Sequence, residues 1–268
     1  MEKNNALTYC YPEAKSVVVS GDIHGDFNEL VYKLCIQYQM TDTLLIVAGD
    51  CGFGFEKKAY YEQMLRRNAK RLNEANNWIV FVRGNHDNPA YFDGTTFKHK
   101  RMRCVPDYTV LQACDHHILC VGGAISIDRK IRREAWEKKK AKYGFDSNLS
   151  DGIPRAYYWS DEPPVYDEKK MDAIRSAHSI DTVITHTAPS CCELQTKSGL
   201  TRWAVDDSEL LSNVQTERTT MDQLLHRLQT DWHPVSHWYY GHFHQSWHAA
   251  IDGILYRMLD IMEFCMVY

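Results

Sequence analysis

The sequence predicts an α/β protein built around a parallel sheet, and three features carry that reading. Short apolar runs alternate with helical patterns over the first ninety residues. Each run stops at a cluster of polar residues. No internal repeat, low-complexity tract or Pro/Gly linker interrupts the series, so we expect one domain over residues 1–268, with an irregular and helical segment inserted around 128–166.

The elements follow in order. Val17–Ser20 reads as a short buried strand. Asp26 to Glu29 has capping-box spacing, and Phe27, Leu30, Val31, Leu34 and Tyr38 then recur at helical intervals. Thr43–Ala48 is a second strand, Glu56–Asn76 a helix, and Trp78–Val82 a third strand. Strand–helix–strand–helix–strand implies parallel pairing through crossovers. The middle is more β-like: Tyr108–Leu111 and His116–Val121 can form a hairpin around Ala113-Cys114-Asp115. Lys130–Lys142 reads as a basic helix with a solvated face, and Tyr143–Val165 as irregular. A helix at 167–178 leads to strand Thr182–Thr185, and a polar stretch from Thr187 to Asp206 precedes a helix near Glu217–Gln229. Val235–Tyr240 is a strand, and Trp247–Ile251 with Ile254–Met258 flank Asp252-Gly253, a two-residue hairpin turn.

Composition narrows the function classes. With 268 residues, 44% hydrophobic and 25% charged, the chain can bury a sizeable core. Net charge is −4 and the pI about 6.3, so there is no global basic field for nucleic acid or an anionic membrane, although a nucleotide or single phosphate is still accommodated. Nine cysteines without a CxxC pair read as reduced thiols. Neither an apolar leader nor an apolar run of membrane-spanning length is found, so the expectation is a cytoplasmic protein with no membrane partner.

The chemistry lies at the strand ends, where open α/β sheets bind ligands. Five strands stop at metal-binding side chains: Asp22 with His24, Asp50, Asn85 with His86, His186, and His242 with His244. Gly21, Gly49, Gly84 and Gly241 precede four of these clusters and let the backbone turn sharply. His242 and His244 lie two apart, so on an extended segment they face one side. An Asp/Asn/His set without Cys suits Mn, Fe or Zn rather than an iron–sulfur cluster or a structural Cys zinc site. Seven ligands is too many for one ion and a natural count for two that share a carboxylate. The remaining histidines, His116, His117, His178, His226, His233, His237 and His248, match no motif and read as ordinary. Cys51, Cys191 and Cys192 read as buried or loop residues rather than nucleophiles.

The ordered motifs GDIHG, GD, GNHD, a strand-end TH and GHFH span residues 21–244 and resemble the calcineurin-like metallophosphoesterases. The resemblance implies a central β-sandwich flanked by helices, the four-layer α/β/β/α arrangement, with two divalent transition-metal ions at one end. By matching position, Asp22, His24 and His244 would hold the first ion, Asn85, His186 and His242 the second, and Asp50 would bridge them. His86 would be the catalytic histidine rather than a ligand. Two cations lower the pKa of a shared water, so a bridging hydroxide is available at neutral pH to attack phosphorus, and an imidazole is suited to protonate the leaving oxygen.

The expected function is therefore a metal-dependent phosphoric ester hydrolase acting on a small phosphorylated substrate, with a phosphodiester or nucleotide-like group preferred. A non-catalytic metal-binding scaffold, a nuclease and a phosphoprotein phosphatase are the alternatives. The nuclease is weakened by the acidic balance and by the lack of a basic stripe with interleaved aromatics. The phosphoprotein reading is weakened by the second motif. Protein-phosphatase and symmetrical dinucleoside-polyphosphatase branches continue it as Gly-Asp-x-x-Asp-Arg-Gly, whereas this chain has Phe53 and Gly54 in place of the aspartate and arginine. Asp87 need not replace that aspartate, and Phe53 and Phe55 are open to a stacking or a core role. Bidentate arginine is the usual partner of phosphoryl oxygens that metals leave outward. Arg129, Arg132, Arg133, Arg155 and Arg202 are candidates, and the turn at Gly122-Gly123 favours Arg129 or Arg133 as substrate contacts.

Overall fold

A computed structural model describes residues 6–143, 158–192 and 199–268, without the side chains of residues 139, 140, 142 and 143. Arg155 and the centre of the expected 128–166 insertion lie outside the described residues. Among the described residues, twelve strands form two sheets. The first has the order β12-β2-β3-β4-β5, built from Phe264–Met266, Ser16–Ser20, Thr43–Val47, Trp78–Phe81 and Met102–Cys104. The second has the order β1-β6-β7-β8-β9-β11-β10, from Thr8–Cys10, Thr109–Ala113, His116–Val121, Thr182–Thr185, His237–Tyr240, Ile254–Met258 and Trp247–Ile251. The alternating strands and helices of the first ninety residues give the parallel β2-β3-β4 core of the first sheet, with Val18 opposite Leu45 and Leu45 opposite Ile79.

Side-chain alternation explains why two sheets stack. Val17, Val19, Leu44, Ile46 and Val80 point from the first sheet into a core shared with Leu111, Ile118, Cys120, Ile184 and Tyr239 of the second. Their neighbours Val18, Leu45, Val47, Ile79 and Phe81 face outward onto α1 (Phe27–Tyr32) and α2 (Lys58–Glu74). On the far side Leu119, Val121, Val183, Trp238 and Tyr240 pack against α4 (Glu168–Ala177) and α6 (Leu210–Thr230). The result is helix, sheet, sheet, helix. Central strands buried on both faces read as unbroken apolar runs, as TLLIV does at Thr43–Val47.

Several local expectations change. Asp26 precedes α1, but its side chain makes no capping bond, and after Tyr32 the helix widens into a π-turn over Lys33–Gln37. Capping here falls to a backbone group, with the first helical N–H, that of Phe27, donating to Gly25 O at 2.9 Å. The helix expected near Glu217–Gln229 begins at Leu210, and α5 (Leu200–Ala204) occupies part of the polar stretch before it. The hairpin turns are as expected: Cys114-Asp115 and Asp252-Gly253 all take positive φ. α3 (Arg129–Tyr143) coincides with the basic stretch. Phe53 is fully buried and rings itself with Phe27, Tyr61, Phe81, Tyr91, Phe92 and Phe97, so it is a core residue and not a wall of the site. Among the described residues, no helix is long and apolar enough to cross a membrane.

Candidate active site

Asp22, Asp50 and the Asn85-His86 pair leave the carboxyl ends of β2, β3 and β4, while His186 and the His242/His244 pair leave those of β8 and β9. These seven side chains, with His24 two residues after Asp22, therefore meet at one end of the sandwich, contributed by both sheets. The glycines before them do more than turn the chain. Of the four, only Gly49 has positive φ, at +97°. A Cβ on Gly84 would lie 2.1 Å from Asp50 Oδ1, one on Gly241 2.2 Å from Asp22 Oδ1, and one on Gly49 2.1 Å from His186 Nδ1. Glycine is needed there because a carboxylate or imidazole occupies the space.

The His242–His244 segment is not extended, contrary to the expectation from its spacing. His242 has φ of 72° and His244 of 51°, and His24 and Asp50 share this left-handed conformation at 46° and 44°. Both imidazoles still reach the site, because two left-handed residues curl the chain around it. Such backbone persists where surrounding contacts over-determine it. Asp87 supplies them for the second motif: its buried carboxylate accepts the N–H groups of Cys51 (3.0 Å), Gly52 (2.8 Å), Phe53 (2.9 Å) and Gly84 (2.8 Å). Asp87 thus holds the loop after Asp50. Cys51 is buried beside it, with burial raising its thiol pKa well above the ordinary range, as befits an inert residue.

The donor atoms form two clusters. In one, His24 Nε2 and His244 Nε2 are 3.0 Å apart and His244 Nε2 is 3.0 Å from Asp22 Oδ2. In the other, His186 Nε2 is 2.8 Å from Asn85 Oδ1 and 3.3 Å from Asp50 Oδ1, and the His242 ring lies 5.0 Å from that of His186. Ligand atoms about 2.1 Å from one ion, at right to tetrahedral angles, are about 3–3.4 Å from each other. Most of the separations are near those of metal ligands, and Asp22 with Asp50 places a carboxylate in each cluster.

Hydrogen-bond direction points the same way. His186 Nδ1–H donates to Ala48 O at 2.7 Å, which leaves Nε2 of the neutral ring as an acceptor. It faces two further acceptors, Asn85 Oδ1 and Asp50 Oδ1, so a proton or a cation must bind between them. Without a metal it is a proton: burial opposes charge on His186, but Asp50 and Asp22 outweigh it and push the pKa up to about 9. Asp50 answers in kind, since burial opposes its ionisation but His86 and His186 hold its carboxyl well below the usual range. The hydrogen bond to Asp22 raises His244, while burial and the nearby His186 lower His242.

A cavity of about 230 Å³ opens above these groups, lined by Asp50, Asn85, His86, His242 and His244 on its polar floor. His86 N–H donates to Asp50 Oδ1 at 2.9 Å, and its Nε2 lies 3.9 Å from Asp50 Oδ2. The remaining wall comes from Ser126, Ile127, Asp128, Arg132, Trp203 and Phe243. The turn at Gly122-Gly123 does lead its segment to the site, as its sequence suggested. The arginine in the wall is nevertheless Arg132, paired with Asp128 one helical turn earlier at 2.7 Å. Arg129 turns its guanidinium onto Asp207, at 2.7 and 3.1 Å, and Arg133 is exposed; neither lines the cavity. Each residue step in an α-helix rotates the side chain by about 100°, which sequence alone could not resolve into a facing direction. Phe243 sits inside the GHFH motif and was available to sequence reading; Trp203 carried no signal.

A two-sheet α/β/β/α sandwich with Asp, Asn and His donors gathered at the carboxyl ends of its strands defines a metal-dependent phosphoesterase. The family model for calcineurin-like phosphoesterases matches residues 15–246, and the chain belongs to that family. It is a metal-dependent phosphoric ester hydrolase. No curated protein matches the sequence. Among solved structures, a dimetal phosphatase from Danio rerio shares 10% identity, with 94% of this chain and 88% of that chain covered at a TM-score of 0.48. The phosphopantetheinyl hydrolase of Mycobacterium tuberculosis shares 12%, covering 96% and 91% at 0.41. GAP50, the anchor in the inner membrane complex of Plasmodium, shares 11%, covering 91% and 70% at 0.39.

The Asp87 contacts make a direct prediction. Asp87→Ala strands four buried N–H groups, and we expect it to destabilise the metal-free protein by about 3–5 kcal/mol in urea unfolding. A loss below about 1 kcal/mol would show that the loop holds its shape without this carboxylate.

Proposed function

We propose that the protein is a dinuclear phosphoesterase that hydrolyses a small phosphodiester or nucleotide-like substrate. The observation that carries the reading is the convergence of acceptors on two sites, each with a buried aspartate. Asp22, His24 and His244 would hold one ion and Asn85, His186 and His242 the other, with Asp50 shared. When bound, two divalent cations supply charge for the phosphoryl oxygens and acidify a water that serves as nucleophile.

The chain's own groups do the rest. His86 stands in the cavity floor beside Asp50, where its imidazole can give a proton to the departing oxygen. Arg132 is the side chain suited to grip an outward phosphoryl oxygen, with Asp128 fixing its planar fork. Ile127, Trp203 and Phe243 offer the second substituent of a diester an apolar or stacking wall. The cavity is small, which favours a compact substrate over a folded protein.

Three experiments test this reading. Metal-free protein titrated with Mn²⁺ should take up two ions per chain, and Asp50→Asn should weaken both. Uptake must displace the proton of His186, so binding should release protons at pH 7.5 and tighten as pH rises toward about 9, where that imidazole is neutral without help. Fewer than two ions at saturation in the wild type would overturn the dinuclear reading. His86→Ala should keep both ions and lose about 10²-fold or more in kcat on an ester with a poor leaving group, but much less on a nitrophenyl ester. Equal losses on both substrates would deny His86 an acid role. Arg132→Ala should lower kcat/KM about tenfold or more with metal content unchanged, while Arg129→Ala and Arg133→Ala stay within about twofold. The opposite ranking would return the phosphate contact to Arg129 or Arg133.

A further inference from the structure

Asn85 differs from the other expected ligands in one respect: it has two similar-looking ends, of which only one can hold a cation. The carbonyl oxygen is a ligand; the amino group, with its two protons, repels a positive ion. Turning the side chain over costs little unless something outside the site distinguishes the ends. In this structure Asn85 Nδ2 donates to Ser126 Oγ at 2.8 Å, while Oδ1 faces His186. Ser126 is bound in turn by Glu162, which accepts its hydroxyl proton at 2.6 Å and its backbone N–H at 2.9 Å. Asn85, Ser126 and Glu162 are all buried, with 1%, 1% and 2% exposure, so water does not substitute for any of these bonds.

We infer that Ser126 and Glu162 are positioning residues that hold the Asn85 amide with its carbonyl oxygen toward the cation centre. A serine hydroxyl has a single proton. Once Glu162, as a carboxylate, takes it, Ser126 presents only lone pairs to Asn85, and only an amino group can answer them. Were the hydroxyl free to rotate, it could equally donate to the amide oxygen, and the reversed orientation would be served as well. Glu162 therefore gives the hydrogen-bond chain a direction.

The main chain keeps Glu162 in place. Its carbonyl accepts from Ala124 N–H at 3.1 Å and from Arg83 Nη1 at 2.9 Å. Arg83, two residues before Asn85, also bonds Asp161 O at 3.1 Å and pairs with Asp107 at 3.0 Å. Residues 161–162 thus fasten both the strand end that carries Asn85 and the loop that carries Ser126. Glu217 does a parallel service from α6. Its buried carboxylate accepts from Ile125 N–H and, at 2.6 Å, from the hydroxyl of Thr187, next to His186.

The inference rests on the proposal that Asn85 holds one of two ions, and the experiment separates the two. Metal-free wild type, Ser126→Ala, Ser126→Thr and Glu162→Ala are titrated with Mn²⁺ alone by calorimetry, and the melting temperature of each metal-free protein is recorded. Orienting groups behind a ligand are typically worth 10–100-fold in metal affinity. Ser126→Ala should therefore bind its first ion as the wild type does and its second about 10–100-fold more weakly, a split between the sites that the general loss of stability read from the metal-free melting temperature does not produce. Ser126→Thr, which keeps the hydroxyl, should restore the second site. Glu162→Ala should behave like Ser126→Ala, and the double variant should be little worse than either, because both act through one chain of bonds. Two ions bound at wild-type affinity by Ser126→Ala would overturn the inference, as would equal weakening of both sites. A wild type that takes up fewer than two ions would overturn the reading beneath it instead.

Discussion

The closeness of the two sheets at their carboxyl edges is the constraint on which the site depends, and missing side chains make it possible. Gly49 ends β3 of the first sheet and lies against His186 of the second; Gly241 ends β9 of the second and lies against Asp22 of the first. Gly122, after β7, meets Arg83, after β4, in the same way, with a Cβ there placed 2.5 Å from the Arg83 carbonyl. Elsewhere a layer of Val, Ile and Leu holds the sheets apart. At this rim the aliphatic layer gives way to backbone, and carboxylates and imidazoles fill the gap.

Bringing such groups together is unfavourable until a cation joins them. Asp22 and Asp50 are both essentially removed from solvent, and burying a carboxylate costs free energy unless opposite charge compensates it. In the metal-free state a proton on His186 provides such charge, which is why Asp50 is held ionised while His186 is driven upward. Four of the residues involved also sit in left-handed backbone. The surrounding structure bears this cost through ordinary means: Asp87 satisfies four amides, Phe53 anchors the same loop in an aromatic core, and Glu162 and Glu217 secure the opposite wall. The site is strained locally and supported at a distance.

Phe53 and Gly54 depart from the Gly-Asp-x-x-Asp-Arg-Gly pattern, and both are taken up by packing. Phe53 is packed inward and Gly54 has φ of +97°, with Asn88 and Trp159 occupying the place a Cβ would take. Neither residue lines the cavity. α3 is where the cavity wall meets an arginine, and its facing residue is Arg132.

The sequence alone determined the α/β class, the parallel core strands, the hairpin turns and the strand-end clusters. These are local properties: an apolar run of strand length, a Gly-flanked polar stop, an Asp-Gly turn. It also determined which side chains end together, because parallel strands necessarily gather their carboxyl ends. Only the tertiary structure decided which strands fall in which of the two sheets, that the His242–His244 segment curls instead of extending, and that Arg132 rather than Arg129 or Arg133 faces the cavity. It alone revealed Ser126, Glu162 and Glu217, whose partners lie far away in sequence. The physical reason is one of range. Periodicity and turn chemistry are written within a few residues, whereas the direction of a hydrogen bond between buried groups depends on every element packed around it.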